Sequence, residues 1–217
     1  MPFAACFLLV LAAPPATWNE LDQVVRRLEA RYNRLETLKA QFVQLYRAAE
    51  RAPIREEAGI VYFKRPGRMR WEYTRPEIKL FVSDGKTVYF YVPEDRQVTR
   101  MPAAESADLR APLRFLLGRL HLRRSFGRVE WAKDFAPLDP GNPVLRLLPK
   151  GSEERFRELL VEVDQQSRIR RLVVYEGDGS RTEFRLSSEE GNPHLDLGLF
   201  RFAVPPGVEV VDERSDR

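Results

Sequence analysis

Residues that usually carry catalysis or bind metals are scarce in this sequence. It has one cysteine and two histidines, and His121 and His194 stand far apart with no neighbouring ligands at metal-site spacing. Gly-x-Ser-x-Gly turns and phosphate-binding glycine loops are absent. Asp84 and Asp178 lie in glycine turns, where a structural role is favoured. The sequence therefore indicates no metal, no cofactor and no enzyme, and it favours binding over turnover.

Neither sign of charge dominates. The 36 Lys and Arg residues are offset by 32 Asp and Glu residues, which leaves a net charge of +4. The charges are spread along the chain, and no basic block could follow a phosphate backbone. We predict a solvated surface rich in ion pairs and no nucleic-acid partner. A weak attraction to anionic membrane surfaces is compatible with this balance.

Long apolar runs are also missing. The run from Phe3 to Ala13 is too short to cross a bilayer, and Pro14-Pro15 ends it. It is typical of the apolar region of a secretory signal, although no Lys or Arg precedes it. We expect residues 1–16 to be a signal peptide and residues 17–217 to form one domain. That domain would contain no cysteine, as suits an oxidising periplasm.

The most informative stretch is residues 59–92, in which four strand-like runs are separated by turn signals. In the run 68–73, apolar and charged residues alternate, the pattern of a strand with one face out of water. Asp84-Gly85 provides the positive φ angles of a two-residue hairpin turn, and Pro66-Gly67 breaks the preceding run. The stretch predicts an antiparallel meander.

Further runs extend this β character along the chain. An amphipathic helix precedes them, because apolar residues from Trp18 to Leu35 recur at three- and four-residue intervals. The count reaches ten or eleven strands, which predicts a mainly β fold whose antiparallel sheet curls on itself. The strand-like runs outside the meander cover residues 37–47, 97–101, 144–148, 156–163, 169–175 and 182–186.

A different pattern occupies residues 102–122, which are rich in alanine and leucine. Pro112 can open a short helix there and Gly118 can close it. One face of that helix must cover something apolar, because four leucines in water would be unfavourable. These residues are Leu113, Leu116, Leu117 and Leu120.

Taken together, these features resemble one known family. The string KRPGRMRWEYTRPEIKLFVSDGKTVYFYV at residues 64–92 resembles the signature region of LolA, the periplasmic carrier of outer-membrane lipoproteins. Three other strings match the first strand, the lid and the ending of that family: LKAQFVQ at 38–44, APLRFLLG at 111–118 and FRFAVPPGVEV at 200–210. The resemblance covers residues 18–212.

The resemblance implies an unclosed half-barrel of about 11 strands, covered by the N-terminal helix and by short central helices that act as a lid. Its concave face would hold acyl chains, and Arg65 would latch the lid closed through bonds to lid backbone. The lid would carry the four leucines named above. Patterning alone favours a plain core for the apolar strand residues, and only the resemblance indicates a cavity. Its predicted lining is Met69, Trp71, Tyr73, Leu80, Val82, Val88 and Phe90.

The function implied by the resemblance is that of a monomeric periplasmic chaperone without a cofactor. It would take acylated lipoproteins from an inner-membrane, ATP-driven releasing complex. It would deliver them to an outer-membrane acceptor lipoprotein or to the outer membrane itself. One alternative is a related half-barrel that senses lipid and regulates envelope signalling. Another is a lipid-acting enzyme, which would require acidic or nucleophilic residues clustered at the cavity mouth.

Overall fold

The computed structural model describes residues 20–104, 119–151 and 156–213. Within these ranges the chain forms an N-terminal helix, α1 (Glu20–Asn33), a single-turn helix, α2 (Leu122–Ser125), and a 3₁₀ turn at Leu197–Phe200. The strands are β1 Thr37–Arg47, β2 Arg55–Lys64, β3 Arg68–Arg75, β4 Lys79–Ser83, β5 Thr87–Val92, β6 Gln97–Pro102, β7 Arg128–Trp131, β8 Val144–Leu148, β9 Phe156–Val163, β10 Ile169–Glu176, β11 Arg181–Gly191 and β12 Glu209–Asp212.

All of these strands belong to one twelve-stranded sheet, in the order β12-β6-β5-β4-β3-β2-β1-β11-β10-β9-β8-β7. Strand β12 runs parallel to β6, whereas the other neighbours are antiparallel. Strands β12 and β7 form two separate edges, so the sheet is not closed into a barrel. The predicted mainly β, unclosed sheet is confirmed. The four-residue strands β7 and β12 were not predicted individually.

The sheet is strongly curved. Trp71 on β3 and Phe184 on β11 are three strands apart in the sheet order. In a flat sheet three inter-strand spacings would separate the two backbones by roughly 14 Å. Their ring centroids are only 5.4 Å apart. The two strands therefore face each other across a concave inner surface.

Helix α1 covers this inner surface. Its apolar face comprises residues that are all buried in the main core cluster: Leu21, Val24, Val25, Leu28 and Tyr32. Acidic residues in the first turn and Arg31 in the last turn complement the helix dipole. The predicted amphipathic helix, with its apolar side on β structure, is confirmed over the described residues.

Strand register decides which residues of the meander share the inner face. Trp71 stands opposite Phe81 on β4, and Phe81 stands opposite Phe90 on β5. Because paired residues of antiparallel strands project to the same side, Phe90 shares the face of Trp71. The same alternation places Met69, Tyr73 and Val88 there.

Leu80 and Val82 lie on the outer face instead, opposite Glu72 and Arg70 of β3. The prediction that these two residues line the concave side is wrong. Strand β4 is apolar on both faces, so its sequence lacks the alternation that distinguishes inside from outside.

The chain after β11 explains why the outer face is apolar here. The ring of Phe202 lies 5.3 Å from that of Tyr89 and 5.6 Å from that of Tyr91 on β5. Arg70 Nη1 donates to the carbonyl oxygen of Leu199 at 3.1 Å. The C-terminal segment therefore packs on the back of the meander, and Val82 is fully buried on that side.

An ion cluster lies on the outer face of β11. The carboxylate of Glu183, with a side chain 3% exposed, accepts hydrogen bonds from Arg181 and, at 2.7 Å, from Arg185 Nε. Burial alone would raise the pKa of Glu183, but the two guanidinium groups outweigh it and lower the pKa below its usual 4.5. A carboxylate with a lowered pKa in the folded state stabilises the fold only while it is ionised.

We therefore predict that Glu183→Gln lowers the free energy of unfolding by about 1–3 kcal/mol at pH 7, because charged hydrogen bonds are lost. The difference from wild type is fully present above pH 4.5, the unfolded pKa, and shrinks as pH falls through the lower folded pKa. Urea unfolding at several pH values measures it. Glu190→Gln, at an exposed position of the same strand, serves as control. A pH-independent loss would contradict the assignment.

Candidate functional site

Aromatic rings from four strands, β1, β2, β3 and β11, meet on the inner face. Trp71, which is fully buried, lies 4.8 Å from Phe42 and 5.4 Å from Phe184, measured between ring centroids. Phe63 meets Trp71 edge-on at 6.1 Å, and Tyr73 stacks beside it at 6.5 Å. Such edge-on and stacked arrangements are favourable for aromatic pairs. Trp71 and Tyr73 were predicted for this site, whereas Phe42 and Phe184 were missed because their strands are distant in sequence.

A glycine on β2 makes room for this packing. Gly59 stands opposite Phe42 on one side and Tyr73 on the other. A Cβ atom at Gly59 would lie 1.8 Å from the carbonyl oxygen of Glu72 and 3.0 Å from Phe42 Cε1. Only glycine therefore permits this close approach of β2 and β3 beneath the aromatic rings.

Polar groups are embedded among these rings. The Tyr73 hydroxyl donates to Gln44 Oε1 at 2.8 Å, and that pair is buried. Trp71 Nε1 and Thr182 Oγ1 are also buried, but neither has a hydrogen-bond partner. Thr182 faces inward, since it stands opposite Val174, a member of the main core cluster. The interior is thus not uniformly apolar.

The C-terminal half of α1 is held to the sheet by a hydrogen-bonded tyrosine. The hydroxyl of Tyr32 donates to Glu189 Oε2 at 2.6 Å and accepts from the backbone N–H of Ile169 at 2.9 Å. Arg31 pairs with the same carboxylate. Burial, together with the negative charge of Glu189, raises the pKa of Tyr32 well above its usual value. Tyr32 therefore stays a neutral donor and acceptor beneath the helix.

Arg65, in the turn between β2 and β3, binds the end of the same helix. Its Nη2 donates to the carbonyl oxygen of Tyr32 at 3.0 Å, and its Nη1 donates to that of Asn33 at 3.3 Å. The last carbonyls of a helix have no partner within the helix and carry its partial negative charge. A guanidinium fork suits them, because it offers several donors and one positive charge.

The charge on Arg65 sits in an unfavourable position. Partial burial lowers the pKa of Arg65, Glu36 opposes that change, and the nearby positive charge of Arg119 lowers the pKa further. The guanidinium remains charged at any physiological pH. The hydrogen bonds from Arg65 to α1 therefore offset the free-energy cost of keeping the Arg65 cation close to the Arg119 cation.

Asn33 joins α1 to the described end of the predicted lid. Its Nδ2 donates to the carbonyl oxygen of Leu120 at 2.9 Å, and its Oδ1 accepts from the N–H of Leu120 at 2.6 Å. The N–H of Leu122 donates to Glu29 Oε1 at 2.7 Å. Leu120 is 1% exposed and belongs to the core cluster.

The other predicted lid residues, Leu113, Leu116 and Leu117, lie outside the described residues, as does the predicted signal peptide.

A gap of about 10 Å³ lies beside Arg65, bordered by Tyr32, Leu38 and Phe63. That volume accommodates about one water molecule. This gap between α1 and the sheet is therefore too small for an acyl chain.

The described residues contain no cluster of metal ligands, and the two glycine-turn aspartates have backbone partners. They contain no group of three His, Cys, Asp or Glu side chains that could hold a metal ion. Asp84 Oδ1 accepts from the N–H groups of Lys86 and Thr87, and Asp178 Oδ1 accepts from that of Ser180. Both aspartates therefore shape turns, in line with their predicted structural role. No described helix is long and apolar enough to cross a membrane.

We predict that Asn33→Ala frees the described end of the lid at Leu120, because it removes both hydrogen bonds to Leu120. Amide hydrogen exchange at Leu120 should accelerate, and the free energy of unfolding should fall by about 1–3 kcal/mol. Arg34→Ala, an exposed neighbour, should change neither quantity. Equal exchange rates in the two variants would mean that Asn33 does not hold the lid.

Comparison with known proteins gives this geometry a context. The family model "Outer membrane lipoprotein carrier protein LolA" matches residues 33–203. The outer-membrane lipoprotein carrier protein of Serratia proteamaculans (strain 568) is 29% identical over 200 residues, covering 92% of this chain and 93% of that protein. Its counterpart from Edwardsiella ictaluri (strain 93-146) is 30% identical over 188 residues, covering 87% of each chain.

Among solved structures, an uncharacterized conserved protein from Thermus thermophilus matches this fold with a TM-score of 0.54. Its sequence is 16% identical, and the match covers 90% of this chain and 100% of that one. At this identity the likeness concerns the fold alone.

Proposed function

Because the chain belongs to the LolA family of outer-membrane lipoprotein carrier proteins, we propose that it shelters the acyl chains of lipoproteins against the inner face of its sheet. The family consists of carriers, and the chain is not an enzyme. The observation that carries the proposal is the pair of hydrogen bonds from Arg65 to α1, which closes a concave face lined with aromatic rings.

The physical need for such a carrier is large. Each exposed CH₂ group of an acyl chain costs about 0.8 kcal/mol in water, so a lipid-modified protein cannot cross an aqueous compartment unaided. The rings around Trp71 and the apolar face of α1 together provide a surface that would accept acyl chains. The inner-face residues Met69, Tyr73, Val88 and Phe90 extend that surface.

Loading and release would then follow from competition between α1 and an acyl chain for the same aromatic rings. The apolar face of α1 shares one core cluster with the rings, and Arg65 binds the last carbonyls of the helix. An acyl chain would take the place of α1 on the rings, so contacts of the closed state oppose binding. A ligand can shift such an equilibrium only by its difference in affinity between the two states. Arg65 is therefore the proposed latch, and Leu120 the described part of the lid.

The route of transport belongs to this proposal as well. The chain would be exported by residues 1–16, receive acylated lipoproteins in the periplasm from an inner-membrane, ATP-driven releasing complex, and act as a monomer. It would pass its cargo to an acceptor lipoprotein of the outer membrane or to that membrane itself. Transfer in this direction requires only a higher affinity at each step.

We predict that Arg65→Leu traps cargo. Removing contacts made only in the closed state should raise the affinity for a fluorescent fatty acid by about 10- to 100-fold, which corresponds to about 1.5–3 kcal/mol of charged hydrogen bonding. Spheroplasts incubated with the chain from residue 17 should release lipoproteins into the supernatant as a complex with it. The Arg65→Leu complex should pass less cargo to outer-membrane vesicles.

Arg68→Leu is the matched control. Arg68 is the first residue of β3, directly after the turn that contains Arg65, and its Nη1 reaches the carbonyl oxygen of Pro66 in that turn, at 3.5 Å, rather than α1. It should behave like wild type in both assays. If the wild-type chain releases no lipoprotein although it binds the fatty acid, the carrier proposal fails. If Arg65→Leu and Arg68→Leu act alike, the latch fails and the carrier stands.

A further inference from the structure

Two buried polar groups of the interior form no hydrogen bond in the structure. Trp71 and Thr182 are both fully buried, and Trp71 Nε1 and Thr182 Oγ1 have no hydrogen-bond partner. Among the described residues, the other buried side-chain atoms of this kind are Nε atoms of arginines whose terminal nitrogens do form hydrogen bonds: Arg47, Arg65 and Arg171. Only in the tryptophan and the threonine is the whole polar capacity of the side chain unused.

The two side chains lie in one part of the concave face. The indole of Trp71 contacts the ring of Phe184 on β11. Thr182 is the next inward-facing residue along that strand, because side chains of a strand alternate between its faces. Phe184 thus lies next to both groups.

The stability of the fold does not explain why these two buried side chains carry polar atoms. A buried donor or acceptor without a partner loses its hydration and gains nothing in return, whereas an apolar group of the same shape avoids that cost. Valine has nearly the shape of threonine, and phenylalanine, although smaller than tryptophan, keeps an aromatic ring without a donor. The hydrogen-bonding capacity of both side chains is therefore available for something that the closed state does not contain.

We propose that Trp71 and Thr182 form a polar subsite that binds the ester carbonyl at the head of an acyl chain; this rests on the proposed carrier function. An indole N–H only donates, so its partner must be an acceptor. The hydrocarbon of an acyl chain has no acceptor, but the ester that joins it to glycerol has a carbonyl oxygen. The threonine hydroxyl donates to the same class of oxygen.

The position of the subsite gives it two consequences. A hydrogen bond surrounded by aromatic rings is stronger than one in water, so the carbonyl would fix how deeply the chain enters. The two groups also gain partners only in the loaded state. They therefore favour loading over closure, and they oppose the latch at Arg65.

The test compares an ester ligand with an ether ligand. The probes are a diacylglycerol and its dialkyl ether analogue of equal chain length, each titrated by displacement of a fluorescent fatty acid. Wild type should bind the ester about tenfold more tightly, as expected for one or two net hydrogen bonds. In the double variant Trp71→Phe, Thr182→Val, the ester and the ether should bind with equal affinity.

Thr37→Val is the matched control. Thr37 is also buried, but its hydroxyl donates to the carbonyl oxygen of Pro193 at 2.7 Å. This substitution should lower the melting temperature and keep the ester preference. Thr182→Val alone should keep or raise the melting temperature and reduce the preference.

A spectroscopic measurement requires no variant. The ¹H–¹⁵N resonance of the Trp71 indole should shift downfield with the ester and not with the ether. Equal affinities of wild type for the two probes, or the same indole shift with both, would overturn the subsite and leave the carrier function intact. Failure of both probes and of the fatty acid to bind would instead overturn the carrier function itself.

Discussion

The structure depends on one constraint: an open, curved sheet has an apolar concave face and no second sheet to cover it. In a sandwich, two inner faces bury each other. Among the described residues, α1, fourteen residues long, and Leu120 cover this face instead. Polar contacts join α1 to the sheet near the C-terminal end of the helix, and none of them belongs to the hydrogen-bond ladder between the strands.

Polar contacts at the edge of the concave face connect α1 with the sheet and with Leu120. Arg65 holds the final carbonyls of α1, Asn33 pairs with Leu120, and Tyr32 is bonded between Glu189 and Ile169. These contacts are directional and few, whereas burial of the helix face is non-directional. In the proposed carrier, an acyl chain would replace the apolar contacts of α1, and the polar contacts would remain to oppose its binding. These polar contacts would then set the threshold for loading.

The interior combines two demands that conflict. The rings around Trp71 pack as a core, with Gly59 admitting the close approach of β2 and β3. Yet Trp71 and Thr182 carry polar atoms that this core leaves unbonded. A core selected for stability alone would avoid them, because proteins seldom leave buried donors without partners. Their presence agrees with an interior that is also a binding surface.

Local pattern in the sequence was enough to identify α1, most strands, a tight turn between β4 and β5, and the inward residues of β3, because periodicity and turn chemistry act over a few neighbouring residues. The positive φ predicted for Asp84-Gly85 occurs only at Gly85. It was not enough for β4, which is apolar on both faces, so Leu80 and Val82 were assigned to the wrong side. Only the tertiary structure brought Phe184 of β11 beside Trp71, and Asn33 beside Leu120. The reason is physical: the curvature of the sheet and the pairing of β1 with β11 arise from contacts between residues more than a hundred positions apart, which no local pattern contains.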